Sequence, residues 1–426
     1  MGASEEQGRS HRRRPTAGRV RVWPAVAIAV TLGGGLVWIW AFYGEQRQSR
    51  VLATIAACGL AAVGWLVWLV AFSGLRRRTR LLAVGGIVLL VAVLALSLER
   101  RGLTGDALPL FSWRFATSGA GPAVPEARPA AARSADAESD YPQFLGPRRD
   151  ATLPGRRFAT DWRSHPPREL WRRPIGAGWS GFAIAGPYAV TQEQRGDSEL
   201  VTGYDLRTGR LLWVHRDRTR HDDPLGGPGP RATPSIADGR VFAVGGTGRL
   251  QVLELHTGTS LWGLDLLRET GAAPPQYGVA GRRFRIAGDR VEGMHAELSW
   301  ESSALEAKFT NVVLHQGHLY GLDDGILVAV DVADGRRVWK KGRYGHGQLV
   351  LVGDVLLIQA ESGDVVIVRA TPTGHEELGR LAAIDGRTWN HPAVAGRLLL
   401  VRNDREAACF ELVSANEERE NDGGHG

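Results

Sequence analysis

The sequence predicts an all-β propeller of about six four-stranded blades preceded by three transmembrane α-helices. Three observations predict it. The first hundred residues contain three long apolar runs without a charge, the stretch after residue 140 repeats a hairpin that ends in tryptophan, and the 426 residues include 55 Gly and 14 Trp. That composition suits many strands and tight turns rather than a helical bundle. A chain of this length has room for two or three units at roughly 150 residues each.

The apolar runs come first. Val22 to Phe42, Val51 to Phe72 and Leu81 to Leu98 are 21, 22 and 18 residues long, close to the roughly 20 residues a helix needs to cross hydrocarbon. Because the second and third follow directly through short Arg-bearing loops, the first does not read as a cleavable signal peptide. Trp23 lies near one end of the first run, and Trp38, Trp40 and Tyr43 near the other, where interfacial aromatics are favoured.

Charge is concentrated in this part. Residues 1–101 hold 14 Arg and four Glu, a net of +10, so against a total of +7 the remaining chain carries 7 − 10 = −3. A basic balance confined to membrane flanks, with a slightly acidic remainder, argues against nucleic-acid binding. The tail (Arg9, Arg12, Arg13, Arg14, Arg19, Arg21) and the second loop (Arg76, Arg77, Arg78, Arg80) hold ten arginines; the first loop and the residues after the third run hold four, Arg47, Arg50, Arg100 and Arg101. The richer side is expected to be cytoplasmic. This places residues 1–21 as a cytoplasmic tail of a multi-pass inner-membrane protein and everything after residue 98 in the periplasm or otherwise outside the cytoplasm.

Residues 99–139, rich in Ala, Pro and small polar side chains, read as a flexible linker. The propeller is expected over 140–415, with a disordered tail at 416–426. Its signature is carried by YDLRTGRLLW (204–213), LELHTGTSLW (253–262) and VDVADGRRVW (330–339). Each sets an acidic residue eight positions before a Trp, with a Thr-Gly or Asp-Gly turn between. The glycine supplies the positive φ of a tight hairpin and the indole a large apolar surface. Trp213, Trp262 and Trp339 are 49 and 77 residues apart, one and two units of the roughly 40 residues of a four-stranded blade.

A second hairpin recurs at the same interval, turning at Gly186, Gly239, Gly317, Gly353 and Gly396. Units close at Trp213, Trp262, Trp300, Trp339, Leu378 and Phe410 to Val413, which gives about six. The unit between Trp262 and Trp300 is short, as if it had lost strands. The last unit ends without an outer Trp strand, whereas Glu169 to Ile175 (ELWRRPI) resembles such a strand with no inner strands before it. The two are expected to share one blade and close the ring, removing exposed edges.

The segment DYPQFLGP from Asp140, the GAGWSGF and VTQEQRGDSEL runs, the Trp-ended hairpins and KFTNVVLHQGHLYGLDDG together resemble the pyrroloquinoline-quinone (PQQ) type β-propeller repeat family, in particular its membrane-anchored, PQQ-binding-like members. The same repeat occurs in the propeller lipoprotein of the outer-membrane protein assembly machinery and in quinoprotein dehydrogenases. The resemblance covers about residues 140–415, and such propellers usually have seven or eight blades, more than are counted here. It implies either a scaffold that binds a protein or polymer partner, or an oxidoreductase holding PQQ against adjacent cysteines with Ca²⁺ bound by Glu, Asn and Asp.

The residues favour the scaffold. The two cysteines, Cys58 and Cys409, are not adjacent, and no acidic cluster offers the six to eight oxygens calcium takes. No cofactor is expected, PQQ with calcium being the alternative, and no catalytic residue or metal ligand is assigned. GAGWSG (Gly176 to Gly181) fits the dinucleotide fingerprint, but a strand hairpin follows where a helix N-terminus is required. His221, Asp222 and Asp223 sit in an irregular Gly/Pro loop and read as solvated. His295, His315, His318, His346 and His391 lack any metal-binding spacing, and Ser180 lacks a nucleophile elbow. Gln192 to Arg195 read as a polar blade edge.

Aligning the hairpins on their glycines places Ser180, Thr233, Asn311, Gly347 and Asn390 in one column, six residues earlier. Trp179, Ala232, Thr310, His346 and Trp389 form the column before it. First strands line a propeller's channel, so these columns are expected at its mouth. The candidate binding residues are Trp179, Ser180, Thr233, Thr310, Asn311, His346, Trp389 and Asn390, set against the plainer reading of a solvated lining.

Overall fold

The computed structural model describes residues 20–43, 47–115, 140–223, 226–270, 281–287, 295–308 and 310–414. It falls into two compact units, residues 1–101 with 106–116, and 102–105 with 117–426.

The first unit is built on three helices, α1 (Trp23–Phe42), α2 (Arg47–Val67, continued by a π-helical turn at Trp68–Phe72) and α3 (Arg77–Ser97). All three are long and apolar enough to cross a membrane. They begin at or near the flanking arginines, so α2 and α3 extend a few residues beyond the apolar runs of the sequence. Almost all their side chains face outward, the distribution a lipid solvent permits. The indoles of α2 find acceptors near the start of the first helix: Trp65 donates to the Ala25 carbonyl at 3.1 Å and Trp68 to that of Arg21 at 2.8 Å. Trp40 donates to the Thr54 hydroxyl at 3.2 Å. Within the stretch expected to be linker, Leu98–Leu103 and Pro109–Trp113 pair as a two-stranded ribbon. The expected tails at 1–19 and 416–426, and linker residues 116–139, lie outside the described residues.

The second unit is the propeller. Blade 1 comprises strands Ala183–Ala185, Tyr188–Arg195, Ser198–Asp205 and Leu211–Asp217. Blade 2 comprises Ser235–Ala237, Arg240–Val244, Arg249–Glu254 and Ser260–Asp265. Among the described residues blade 3 is a pair, Gly281–Ala287 with His295–Ser302; part of the stretch between Trp262 and Trp300, expected to be short, lies outside the described residues. Blade 4 comprises Val313–His315, His318–Asp323, Ile326–Asp331 and Arg337–Arg343. Blade 5 comprises Gln348–Val352, Val355–Gln359, Val365–Arg369 and Glu377–Leu381, with Thr152–Leu153 added in parallel to its first strand. In blade 6, Ala393–Ala395, Leu398–Arg402 and Glu406–Glu411 are completed by Arg168–Pro174.

That last pairing closes the ring as the sequence predicts. Cys409 lies opposite Trp171 and Glu411 opposite Arg168 in an antiparallel ladder, so the strand that starts the repeat region and the one that ends it become neighbours. The acidic–turn–Trp signature has a direct cause. The Asp205 carboxylate accepts the Arg207 and Thr208 amides at 3.2 and 2.9 Å, and Gly209 takes φ +65° to complete the turn. Asp331 and Gly335, with φ +74°, repeat the arrangement.

Each such turn then receives the tryptophan of the preceding blade. The Trp171 indole donates to the Leu206 carbonyl at 2.9 Å and lies where a Cβ on Gly209 would come within 2.5 Å of its ring. Trp213 covers Gly258 in the same way, and Trp300 donates to Val332 at 3.0 Å beside Gly335. Trp339 donates to Thr371, also at 3.0 Å. The repeat is therefore legible because one side chain and one turn form the blade-to-blade joints of Trp171, Trp213, Trp300 and Trp339.

Inner strands of neighbouring blades cover each other on both faces. Gln348–Val352 and Val355–Gln359 are buried at every position, which explains their unbroken apolar runs. One expectation is corrected here. Gln192, Glu193, Gln194 and Arg195 are not a polar edge; all four are buried, Glu193 completely. Glu193 accepts from Arg195 Nε at 2.9 Å, from the Tyr204 hydroxyl at 2.6 Å and from the Gly176 amide. Arg402 of blade 6 is buried beside them and donates to Thr191 Oγ1 at 2.8 Å and the Gln192 carbonyl at 2.9 Å of blade 1. Burial alone would raise the Glu193 carboxyl, but Arg195 and Tyr204 hold it below the ordinary range. Burial pushes the Arg402 guanidinium down to about 10. A paired and fully hydrogen-bonded charge cluster of this kind is tolerated inside a fold where an isolated charge is not.

Candidate functional site at the channel mouth

The two residue columns predicted at the mouth fall in the short segments that lead into the first strands, and the structure separates their roles. Members of the polar column staple blades together. Asn390 Nδ2 donates to the Ser180 carbonyl at 2.8 Å and to Gly178 at 3.2 Å, joining blade 6 to blade 1. Thr233 Oγ1 of blade 2 accepts the Gly181 amide of blade 1 at 2.9 Å, whereas the Ser180 hydroxyl accepts the Gln192 amide at 3.2 Å within blade 1 itself. Asn311 of blade 4 clips the Leu349 backbone of blade 5 with both ends of its amide, at 2.7 and 3.0 Å. Thr310 sits beside it, half-buried. These are backbone-satisfying bonds of the kind buried polar groups need.

The aromatic column does something else. Trp179 and Trp389, 210 residues apart in the chain, come together with ring centroids 4.9 Å apart at 44°. The Arg387 guanidinium lies 4.8 Å from the first ring and 4.5 Å from the second, the placement in which a cation is attracted to a π face. Burial lowers the Arg387 pKa. Trp179 is fixed by its indole N–H to the Gly226 carbonyl at 2.7 Å, and Trp389 by its own to Glu361 Oε1 at 3.0 Å. The second oxygen of Glu361 accepts the His346 amide at 3.0 Å, which places the predicted His346 on the same carboxylate.

Trp179 and Trp389 thus form an aromatic pair with one cation, Arg387, and one anion, Glu361, against it. Arg387 and Glu361 escaped the sequence reading because they occupy no repeat position: Glu361 lies just past the second strand of blade 5 and Arg387 in the turn that leads to blade 6. The available signal was an arginine two residues before a column tryptophan.

Of His221, Asp222 and Asp223, only Asp222 is exposed, the other two being half-buried, and Asp222–Asp223 pair with Gly227–Pro228 as a short ribbon rather than an irregular loop. Asp222 pairs with Arg220 at 3.0 Å, and Asp223 accepts the Gly226 amide at 2.7 Å. His391, next to the polar column, is fully enclosed; its Nδ1 lies 2.8 Å from the Pro392 carbonyl and 3.4 Å from the Tyr141 hydroxyl. Burial lowers its pKa to about 4.

A family model described as outer membrane protein assembly factor BamB matches residues 159–291 and, overlapping, 197–421. Together these cover more than half of the chain. The chain belongs to this PQQ-repeat family. Among curated relatives, the BamB of Yersinia pestis is 31% identical over 189 residues, covering 40% of this chain and 45% of the relative. That of Escherichia coli K12 is 29% identical over 190 residues, with the same coverage. The chain spans about half the length of the curated relatives it matches. Among solved structures, BamB from Moraxella catarrhalis aligns over 55% of this chain and 85% of its own, at 16% identity and a TM-score of 0.30.

Proposed function

We propose that the chain is a membrane-tethered, non-catalytic propeller that presents a binding platform to a protein or polymer partner outside the cytoplasm, in the assembly of envelope proteins. One observation carries the reading. The side chains of Thr233, Asn311 and Asn390 are engaged in blade-to-blade hydrogen bonds and that of Ser180 in bonds within its own blade, and the remaining chemistry is an Arg387–Trp179–Trp389 stack beside Glu361. Such a surface suits recognition, since arginine and tryptophan dominate protein-binding hot spots, and it holds no nucleophile paired with a base. Family membership supports the assembly role, the curated relatives being named as outer membrane protein assembly factors.

The three apolar helices and the arginine bias support an inner-membrane location with the N-terminus cytoplasmic and the propeller periplasmic. Quinone chemistry fits poorly. Cys409 is buried in blade 6 and Cys58 belongs to α2, so the adjacent pair expected to hold PQQ cannot form, and the mouth carboxylate Glu361 already accepts backbone and indole donors.

Cross-linked pull-down from detergent-solubilised membranes tests the proposal. The full chain should retain envelope proteins that Trp389→Ala releases. Equal capture by both, or dye-linked alcohol or sugar oxidation on adding PQQ and Ca²⁺ to the full chain, would overturn it.

A further inference from the structure

Residues 102–105 belong to the propeller unit but to none of its blades. Gly102 and Gly105 are buried, and Leu103 and Thr104 partly so. The Gly105 amide donates to Glu361 Oε1 at 2.8 Å, and the Leu103 carbonyl accepts from Arg387. These are the anion and the cation of the mouth. They therefore grip a peptide backbone at two points, one carbonyl and the amide two residues on. At the second point a side chain is excluded, since a Cβ on Gly105 would lie 1.9 Å from the His346 ring.

We infer that the mouth is a receptor for an extended peptide with a glycine two residues after the gripped carbonyl, and that Gly102–Gly105 occupies it in cis. The contacts recognise main chain plus an obligatory glycine, so the occupant class is a Gly-containing extended segment rather than an anion or a sugar. Covalent attachment gives the cis segment an effective concentration in the millimolar range. A partner's peptide must displace it, so the partner gains the platform only by exchange. This deepens the reading that the mouth binds protein.

The test uses the full chain in detergent micelles and a fluorescent, end-blocked peptide of residues 99–107. Gly105→Val should expel the cis segment, so that backbone amides at 102–105 exchange with deuterium fast where the wild type protects them. It should also bind the peptide at least roughly tenfold more tightly than the wild type, the scale of losing one charge-assisted contact. Adding Arg387→Ala to Gly105→Val should reverse that gain, and a peptide carrying Val in place of its Gly105 should not bind.

Arg387→Ala alone, in which the cis glycine is intact, should likewise accelerate exchange at 102–105. Wild-type exchange rates in both single variants, peptide binding insensitive to the Arg387 change, or equal binding of the Val peptide would each overturn the inference. The pull-down reads partner capture separately, so a failure here leaves the scaffold reading standing and a failure there leaves this one.

Discussion

His391 shows how a single enclosed side chain gives the propeller a pH dependence. Its ring sits against Tyr141, with Phe144 edge-on at a centroid distance of 5.4 Å, and burial depresses its pKa to about 4. The unfolded chain takes up this proton near pH 6.5, whereas the folded state does not until about pH 4. Between those values the unfolded state binds more protons, so stability is complete above pH 6.5 and falls as the pH drops through the window. Through this group alone the propeller should be about 2 kcal/mol less stable at pH 5 than at pH 7. Urea titrations at the two pH values check it, and His391→Gln should flatten the difference. The sequence placed His391 next to the polar column without giving any sign of this, because its enclosure comes from Tyr141 and Phe144, some 250 residues earlier in the chain.

At the scale of the hairpin, the legible feature is the joint between one blade's tryptophan and the next blade's turn. Trp213 is 4% exposed over Gly258, whereas Trp262, with the same acidic–turn–Trp spacing, is 51% exposed. The difference follows from what comes after each. Blade 2 supplies a full turn to receive Trp213, while Trp262 precedes blade 3, of which the described residues form only a two-stranded pair. Truncating a fully packed Trp costs about 3–5 kcal/mol. Trp213→Ala should therefore lower stability by about that amount, and Trp262→Ala by under about 1 kcal/mol. Parallel denaturant melts decide it, and equal losses would mean that blade 3 does complete the joint.

The same scale explains what the pattern could not deliver. Repetition makes a signature visible, so the turns, the Trp strands and the two residue columns stand out in the sequence. Arg387 and Glu361 each occur once, the first between blades and the second in a turn of blade 5, and only the closed ring brings them to Trp179. Gln192 to Arg195 looked like an edge because four polar residues in a row ordinarily mark one. Their burial depends on Arg402 arriving from the other end of the chain.

For the whole propeller, the decisive device is closure by strands from opposite ends of the repeat region. Arg168–Pro174 has its ladder only with Glu406–Glu411, whose Ala407, Ala408, Cys409 and Phe410 are almost fully buried. A ring closed in this way does not leave Glu406–Glu411 as a bare edge, since the ladder ties the start of the repeat region into the last blade, and the Arg402 clasp joins that blade to the first. Deleting residues 406–426 removes the middle of this arrangement. It leaves Arg168–Pro174 unpaired and Leu398–Arg402 as a raw apolar edge, a known invitation to misassociation. The truncated chain should melt at a lower temperature than the intact one and be cut by trypsin at Arg168, Arg172 or Arg173, within the strand that the intact ladder holds. A synthetic peptide of residues 404–414 should restore protection, since the ladder it re-forms is the one the intact chain uses. Unchanged melting and protease resistance after the deletion would show that the blades hold together without closure, and the ring would then be a consequence of the Trp joints alone.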